Sequence, residues 1–538
     1  MFGGGLYGID TERTERTASG ALMSRRHFVS IGGAGAAALA FGGVRSLLPA
    51  TGGAGRFRSH PFTLGVASGD PEPDGVVLWT RLAPEPLAGG GMPPRAIPVR
   101  WEVAQDERWQ RVVARGEELA RPQAGHSVHV EVAGLRPGRE YFYRFMAGGE
   151  ESVTGRTRTA PAPGSDAPVR FAFASCQHYE HGHYTAYRHM AGEDLDLVLH
   201  LGDYIYEFGP KEYKAPSGVA RTYDALEPTT LNGYRDRYAQ HKMDKDLQEA
   251  HQAFPWVVSW DDHEVKDNYA GATCGSGDPQ AFLARRAAAY QAYWEHMPLR
   301  RRSRPGAREM RIYRHLDYGR QLRLNVLDTR QYRADQQPAG TRGWRSAERS
   351  ALGEAQERWL LDNLRRSNAR WNVVAQQIFF SRRDSTPGPE RDVQPDAWDG
   401  YPAARARLTE AMGHASNPVV LSGDVHSNWA NHVMADYDDE RAKPLATEFV
   451  GTSISSGGDG QDLRPDLASL LSENPHVKFT NGQRGYVRCR VDSHEWQTDY
   501  RVVPYVSRPG AGVSTRASFT VQDGTPGLAG AESAALAA

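Results

Sequence analysis

A chain of 538 residues with 64 Lys and Arg against 65 Asp and Glu carries a formal net charge of −1. That balance excludes bulk attraction to nucleic acid or to an anionic membrane, so any recognition of phosphate must be local. A hydrophobic share of 39% is enough for two or three domain cores, and three cysteines exclude a disulfide-rich scaffold and leave one thiol unpaired in the monomer.

Near the start, Ser24-Arg25-Arg26-His27-Phe28-Val29 precedes a weakly apolar, Gly/Ala-rich run from Ile31 to Gly43. This is the pattern of a twin-arginine export signal. The run is too short and too rich in glycine for a spanning helix, so no stable membrane anchor is expected. Residues 1–55 are therefore set apart as a signal region cleaved between Ala40 and Gly55, and the mature protein is expected to be secreted, periplasmic or in the cell wall.

Residues 56–160 read as short strands separated by Pro/Gly turns. Val76–Trp79, Val99–Val103, Val128–Val132 and Tyr141–Phe145 fit, several with period-two alternation. They predict a small all-β domain of the fibronectin or immunoglobulin type, with Tyr141 placed like a tyrosine-corner residue. Thr159–Pro168 is the linker.

A different rhythm begins at Val169. Buried-type apolar runs end in polar residues: Phe171–Ala174 before Ser175-Cys176-Gln177, and Leu197–Leu201 before Gly202-Asp203. Trp256–Trp260 precedes Asp261-Asp262-His263-Glu264, and Leu322–Leu327 precedes Asp328-Thr329-Arg330. Trp371–Ala375 precedes Gln376-Gln377, and Pro418–Leu421 precedes Ser422-Gly423-Asp424-Val425-His426. Helices are expected at Pro279–His296, with Asp278 as N-cap, and at Glu354–Arg366. Strands interleaved with helices predict an α/β layered domain over residues 169–521. It closes with a hairpin, Tyr486–Val491 and Trp496–Val503. Residues 522–538, rich in Gly, Ala and Ser, are expected to be a structureless tail.

A single strand ending in Gly-Asp is more often a capped turn than a site. Recurrence changes that reading, because chemistry in open α/β sheets gathers at the carboxyl ends of the strands. Cys176, Asp203, Asp261, Asp262, His263, Asp424 and His426 together offer thiol, carboxylate and imidazole, the donors of a mixed metal site rather than of structural zinc. Asp203, with two oxygens to share, suits a bridge between two cations, the arrangement that clamps both oxygens in phosphoester displacement. Tyr204 and Tyr206, taken alone, read as core or interface residues.

The motifs FASCQ (Phe173–Gln177), HLGDYIYE (His200–Glu207), WDDHE (Trp260–Glu264), DTRQYR (Asp328–Arg333) and SGDVHSNW (Ser422–Trp429), with VASGDP (Val66–Pro71) and VGTSISSGGDG (Val450–Gly460), resemble the PhoD-type alkaline phosphatases of the calcineurin-like metallophosphoesterases. The resemblance implies a two-sheet metallophosphoesterase sandwich behind the small all-β domain. It implies Cys176, Asp203, Tyr206 and His426 as ligands of a ferric ion, with Asp203 bridging to calcium on the side of Asp262 and Asp424. Asp262 stands where relatives carry a metal-binding Asn, His263 where they carry a transition-state His, and Asp424 where a His is more usual. Exchange of nitrogen ligands for carboxylates suits calcium.

Other residues stay open between roles. Arg330 could contact phosphoryl oxygens or make a structural ion pair. Asn268 and Asn428 could supply further calcium oxygens or form turns, Asp261 could lie behind the ligands, and Cys274 could pair with Cys489. The GTSISSGGDG stretch lacks the Lys and the spacing of a phosphate-binding loop. The expected activity is an exported alkaline phosphomonoesterase or phosphodiesterase, a monomer acting on small or polymeric phosphoesters, with His263 and Arg330 as catalytic groups. A phospholipase D-type phosphodiesterase and a non-catalytic surface binding protein are the rival readings.

Overall fold

Alternation within the Leu197–His200 strand explains the architecture. Leu197 and Leu199 point into a core that also holds Phe171, Phe173, Leu324, Val373 and Leu421, whereas Val198 points into another with Ala172, Trp256, Tyr238 and Tyr293. Both faces are covered, so Leu197, Val198 and Leu199 are all apolar and the sequence shows a continuous run rather than alternation, with a buried His200 at its end. A computed structural model describes residues 57–529 except 276, 307–308, 389, 440 and 464–466. The twin-arginine motif and its apolar run lie outside the described residues.

The first sheet has nine strands in the order Ser514–Gln522, Glu495–Val503, Arg484–Val491, Val169–Ala174, Leu197–His200, Pro255–Val258, Val66–Glu72, Gly75–Arg81 and Ser127–Ala133. The second has seven: Arg314–Tyr318, Leu322–Val326, Trp371–Ala375, Pro418–Ser422, Pro444–Val450, Asn428–Met434 and Val477–Asn481. The sheets face each other across the core of Leu199 and Leu421. Helices Thr185–Ala191, Leu231–Lys242, Lys245–Ala253 and Pro279–His296 cover the outer face of the first, and Gly353–Arg366 and Pro402–Met412 that of the second. The Asp278 side chain caps Pro279–His296 by accepting from the Gln280 amide at 3.0 Å. The result is a four-layered α/β sandwich.

In the N-terminal part the expected all-β layers are present. Val99, Val103, Tyr143 and Phe145 of the smaller sheet pack on Val76, Leu78, Val128 and Val130, and the Arg136 amide donates to the Tyr141 hydroxyl at 2.9 Å, as in a tyrosine corner. One layer, however, is an extension of the nine-stranded sheet. Val66–Glu72 pairs in parallel with Pro255–Val258, Ser68 opposite Pro255 and Gly69 opposite Trp256. Gly69 has no room for a Cβ, which would lie 2.5 Å from the Pro298 carbonyl oxygen. Asp70 ties the same junction by a buried ion pair to Arg314 at 2.6 Å. The described residues accordingly belong to one compact unit, without a break at residue 160.

At the other end, order runs past the expected limit of residue 521. Asp523 pairs with Arg370 at 2.6 Å, and the Leu528 amide donates to His432 Nε2 at 3.0 Å with the Leu528 side chain buried. Residues 522–529 are thus anchored, contrary to the reading of a tail from 522, because Leu528 finds an apolar site that composition does not reveal. The rest of that segment lies outside the described residues.

Candidate metal centre

Parallel pairing aligns the strand ends. Val169–Ala174, Leu197–His200 and Pro255–Val258 run in one direction in the first sheet, as do Leu322–Val326, Trp371–Ala375 and Pro418–Ser422 in the second. Cys176, Asp203, Asp424 and His426 then turn with φ of 60°, 57°, 66° and 52°, a left-handed backbone that non-glycine residues seldom adopt. Such strain gathers at functional sites, where the surrounding structure holds it in place. Gly202 permits one of these turns: with φ at 114°, any Cβ would lie 2.5 Å from the Asp261 amide nitrogen.

The structure brings the candidate ligands together in three overlapping groups: Cys176 with Asp203 and His426, Asp203 with Asp262 and His263, and Asp261 with Asp262 and Asp424. Within each, one donor atom per residue lies within 4.8 Å of the others. Tyr206 joins the first group, its hydroxyl donating to Asp203 Oδ2 at 2.8 Å and standing 3.2 Å from His426 Nε2. Tyr204 instead hydrogen-bonds His251 at 2.8 Å within the helical core, as its sequence reading has it. Asp203 Oδ1 and Asp262 Oδ1 are buried without a hydrogen-bond partner. Buried carboxylate oxygens are rarely left so, and here both belong to residues of the overlapping donor groups.

Arg330 combines its two possible roles. It is fully buried; Nε donates to Asp261 at 2.5 Å and Nη1 to Asp396 at 2.7 Å. Nη2 has no hydrogen-bond partner and lies 3.6 Å from Asp262 and 3.8 Å from Asp424. Asn268 gives its backbone amide to Asp262 Oδ2 at 2.6 Å, while its side chain turns to Asp267. Asn428 is bonded to Thr452 and Asn481, in structural positions. Cys274 and Cys489 are both free thiols, which settles their pairing in the negative, and Cys489 is buried between the sheets.

Three bracing carboxylates had escaped the sequence reading. Glu264 accepts backbone amides of Asp203, Tyr204 and Asp261 at 3.1, 2.6 and 2.8 Å, locking two strand ends to one another. Glu207 accepts from His263 Nδ1 at 2.8 Å and from the Asp267 amide at 2.7 Å. Both lie inside the motifs HLGDYIYE and WDDHE, where their last position was the available signal. Asp396 holds Arg330 from a loop that carried none.

Electrostatics shows what the cluster needs. Burial, then the charge of Asp203, pushes the Cys176 thiol well above its ordinary range, and burial followed by Asp203 and Cys176 does the same to the Tyr206 phenol. Burial also raises Asp203 and Asp261, with neighbouring carboxylates adding to it. Asp424, at the open side with 26% of its side chain exposed, is still pushed up to about 7 by desolvation against the pull of Arg330. Only Asp262 is held low, where Arg330 and His263 outweigh its burial. His426 is lowered to about 3 by burial and stays a neutral ligand-type imidazole. His263 is the reverse: Asp262, Glu207 and Asp203 overcome burial and raise it well above its usual value. Without cations these acids resist ionisation together. With cations their charges and the orphaned oxygens are met, so the residues present fit a metal centre.

A two-sheet sandwich with a donor-lined rim is a fold that known phosphatases share. A purple acid phosphatase isolated from yellow lupin (Lupinus luteus) seeds shares the fold, with a TM-score of 0.52 at 14% identity over 85% of this chain and 73% of that one. The family model of the PhoD-like phosphatases matches residues 171–500, and that of their N-terminal domain matches residues 48–161. Alkaline phosphatase D of Bacillus subtilis (strain 168) is 54% identical over 482 residues, covering 88% of this chain and 82% of that protein. A solved structure of PhoD superposes with a TM-score of 0.86 at 54% identity, covering 88% of this chain and 92% of that one. The chain belongs to the PhoD-like phosphatase family and is a phosphoric ester hydrolase.

Proposed function

We propose that this is an exported, metal-dependent phosphoesterase working at alkaline pH, with Cys176, Asp203, Tyr206 and His426 holding a ferric ion and Asp203, Asp262 and Asp424 holding calcium. The single observation that carries this reading is the overlap of the three donor groups through Asp203 and Asp262. Donor chemistry supports the assignment: thiolate, phenolate and imidazole suit a transition metal, and carboxylates suit calcium. When bound, such cations supply charge neutralisation at phosphoryl oxygens and activation of water.

The protein's own groups do the rest. Glu207 accepts the Nδ1 proton of His263 at 2.8 Å, which fixes the ring and leaves Nε2 to face substrate. With Nδ1–H held by Glu207, a protonated His263 would present Nε2–H to a non-bridging oxygen, or pass its proton to the leaving alkoxide as the ester P–O bond breaks. Arg330 is pinned through Nε and Nη1, so its remaining Nη2 is preorganised to donate to phosphoryl oxygens. Burial of Arg330 and Asp262 excludes water from that side.

Export is inferred from Ser24-Arg25-Arg26 and the apolar run after it. Among the described residues no helix is long and apolar enough to cross a membrane. Phosphate release from p-nitrophenyl phosphate, and p-nitrophenol release from its bis ester, test the activity and rank monoester against diester. An Asp203→Ala protein with wild-type turnover on both would sink the reading.

A further inference from the structure

The serine-rich loop after Val450 packs directly on the turn that carries Cys176. Ser175 and Ser453 form a parallel bridge, and the Ile454 amide donates to the Ser175 carbonyl at 3.1 Å. The Ser455 hydroxyl donates to the His178 carbonyl at 2.9 Å, and the His178 amide donates to Ser456 Oγ at 3.0 Å. That last contact aims the Ser456 proton. Two acceptors stand at 2.8 Å from Ser456 Oγ, the Cys176 carbonyl and the Tyr206 phenolic oxygen. All of these side chains are buried.

From this geometry we infer that Ser456 is a positioning residue that donates a hydrogen bond to the Tyr206 phenolate and tunes its strength as a metal ligand. The inference rests on the reading of Tyr206 as a ligand of ferric iron. A hydroxyl has one proton and serves one acceptor at a time. While Tyr206 keeps its own proton on Asp203, the Cys176 carbonyl competes for that of Ser456. A phenolate is the stronger acceptor and takes it. The Cys176 carbonyl is not orphaned by the switch, because the Ser456 amide also donates to it at 3.2 Å. The bond draws electron density from the phenolate oxygen, weakens its donation to the cation and fixes its direction. Partners of this kind behind a ligand typically change activity or metal affinity by about 10–100-fold.

Visible spectra of the purified holoenzyme test the inference, through the phenolate-to-iron charge-transfer band. With the donor removed, phenolate electrons lie higher, so Ser456→Ala is expected to move the band to longer wavelength and to lower kcat about 10-fold or more. Ser453→Ala is the control: its hydroxyl donates to the Ser456 carbonyl at 2.7 Å, bracing the same loop without touching Tyr206, and its band is expected to stay in place. A band unmoved in Ser456→Ala, or moved equally in Ser453→Ala, overturns the role of Ser456 and leaves the iron reading standing. Absence of any such band in the wild-type holoenzyme overturns the iron reading and this inference with it. Should Ser456→Ala fail to fold, resonance Raman spectra of the wild type in H2O and D2O decide. A shift of the phenolate modes is expected, and unchanged modes contradict the hydrogen bond.

Discussion

The two corners of the cage are built from different chemistry. Around Cys176, Tyr206 and His426 the donors are sulfur, phenol and imidazole, all raised or lowered toward their neutral forms by burial. Around Asp261, Asp262 and Asp424 the donors are carboxylates alone, and Arg330 already stands among them as a fixed positive charge. Beside the first corner the Arg484 guanidinium donates to the His426 backbone carbonyl, while the thiol and the phenol, both raised by burial, depend on a strongly Lewis-acidic cation to become charged. The second is partly balanced by protein and opens to solvent at Asp424, as suits an exchangeable, oxygen-bound ion. Asp203 belongs to the first and, through its contact with Asp262, reaches the second.

Removal of the shared residue breaks both corners. Asp203→Ala is expected to lower kcat/KM by about 10³-fold or more, since cations contribute several kcal/mol at the transition state, and to strip both metals in elemental analysis. Either metal retained in full would contradict the bridge. His263→Asn is expected to cost about 10²–10⁴-fold in kcat with the metal content unchanged; loss of iron in that variant would show His263 to be a ligand instead.

The corners are separated by single substitutions. Cys176→Ala is expected to lose iron and keep calcium, whereas Asp424→Asn is expected to keep iron and bind calcium about 10-fold or more weakly. Equal loss of both metals in each variant would mean one indivisible site.

The smallest expected effect lies outside the cage. Lys242 is fully buried, its ammonium 4.3 Å from the ring centre of Trp79, and desolvation lowers it to about 7. Below that pH the lysine is charged in both folded and unfolded chains and its burial penalty is complete. Between about 7 and the unfolded value of ~10.4 only the unfolded chain holds the proton, so stability rises with pH, by about 1.4 kcal/mol per unit at most. Neighbouring His200 and His251 are kept neutral by burial across that window. Denaturant midpoints from pH 7 to 10 are expected to rise in the wild type relative to Lys242→Met; parallel curves would contradict this.

Strands covered on both faces were legible because burial favours short apolar runs, as at Leu197–Leu199 before His200 and at Val373–Ala375 after Asn372. Val66–Glu72 was not, because Ser68, Gly69 and Asp70 are chosen for close approach and an ion pair rather than for β propensity. In the cage, acid, thiol and imidazole at strand ends pointed to metal chemistry. Tyr206 needed the resemblance: its neighbour Tyr204 has the same local pattern and lies in the core. Ser456 and Asp396 act across 250 and 66 residues of chain, distances over which periodicity and local motifs carry no information.

Elemental analysis of the purified protein, paired with phosphoester turnover before and after chelation, tests the central claim most directly. Iron and calcium are expected in stoichiometric amounts, with activity lost on their removal and regained on their return. Undiminished turnover by protein containing neither metal would contradict it.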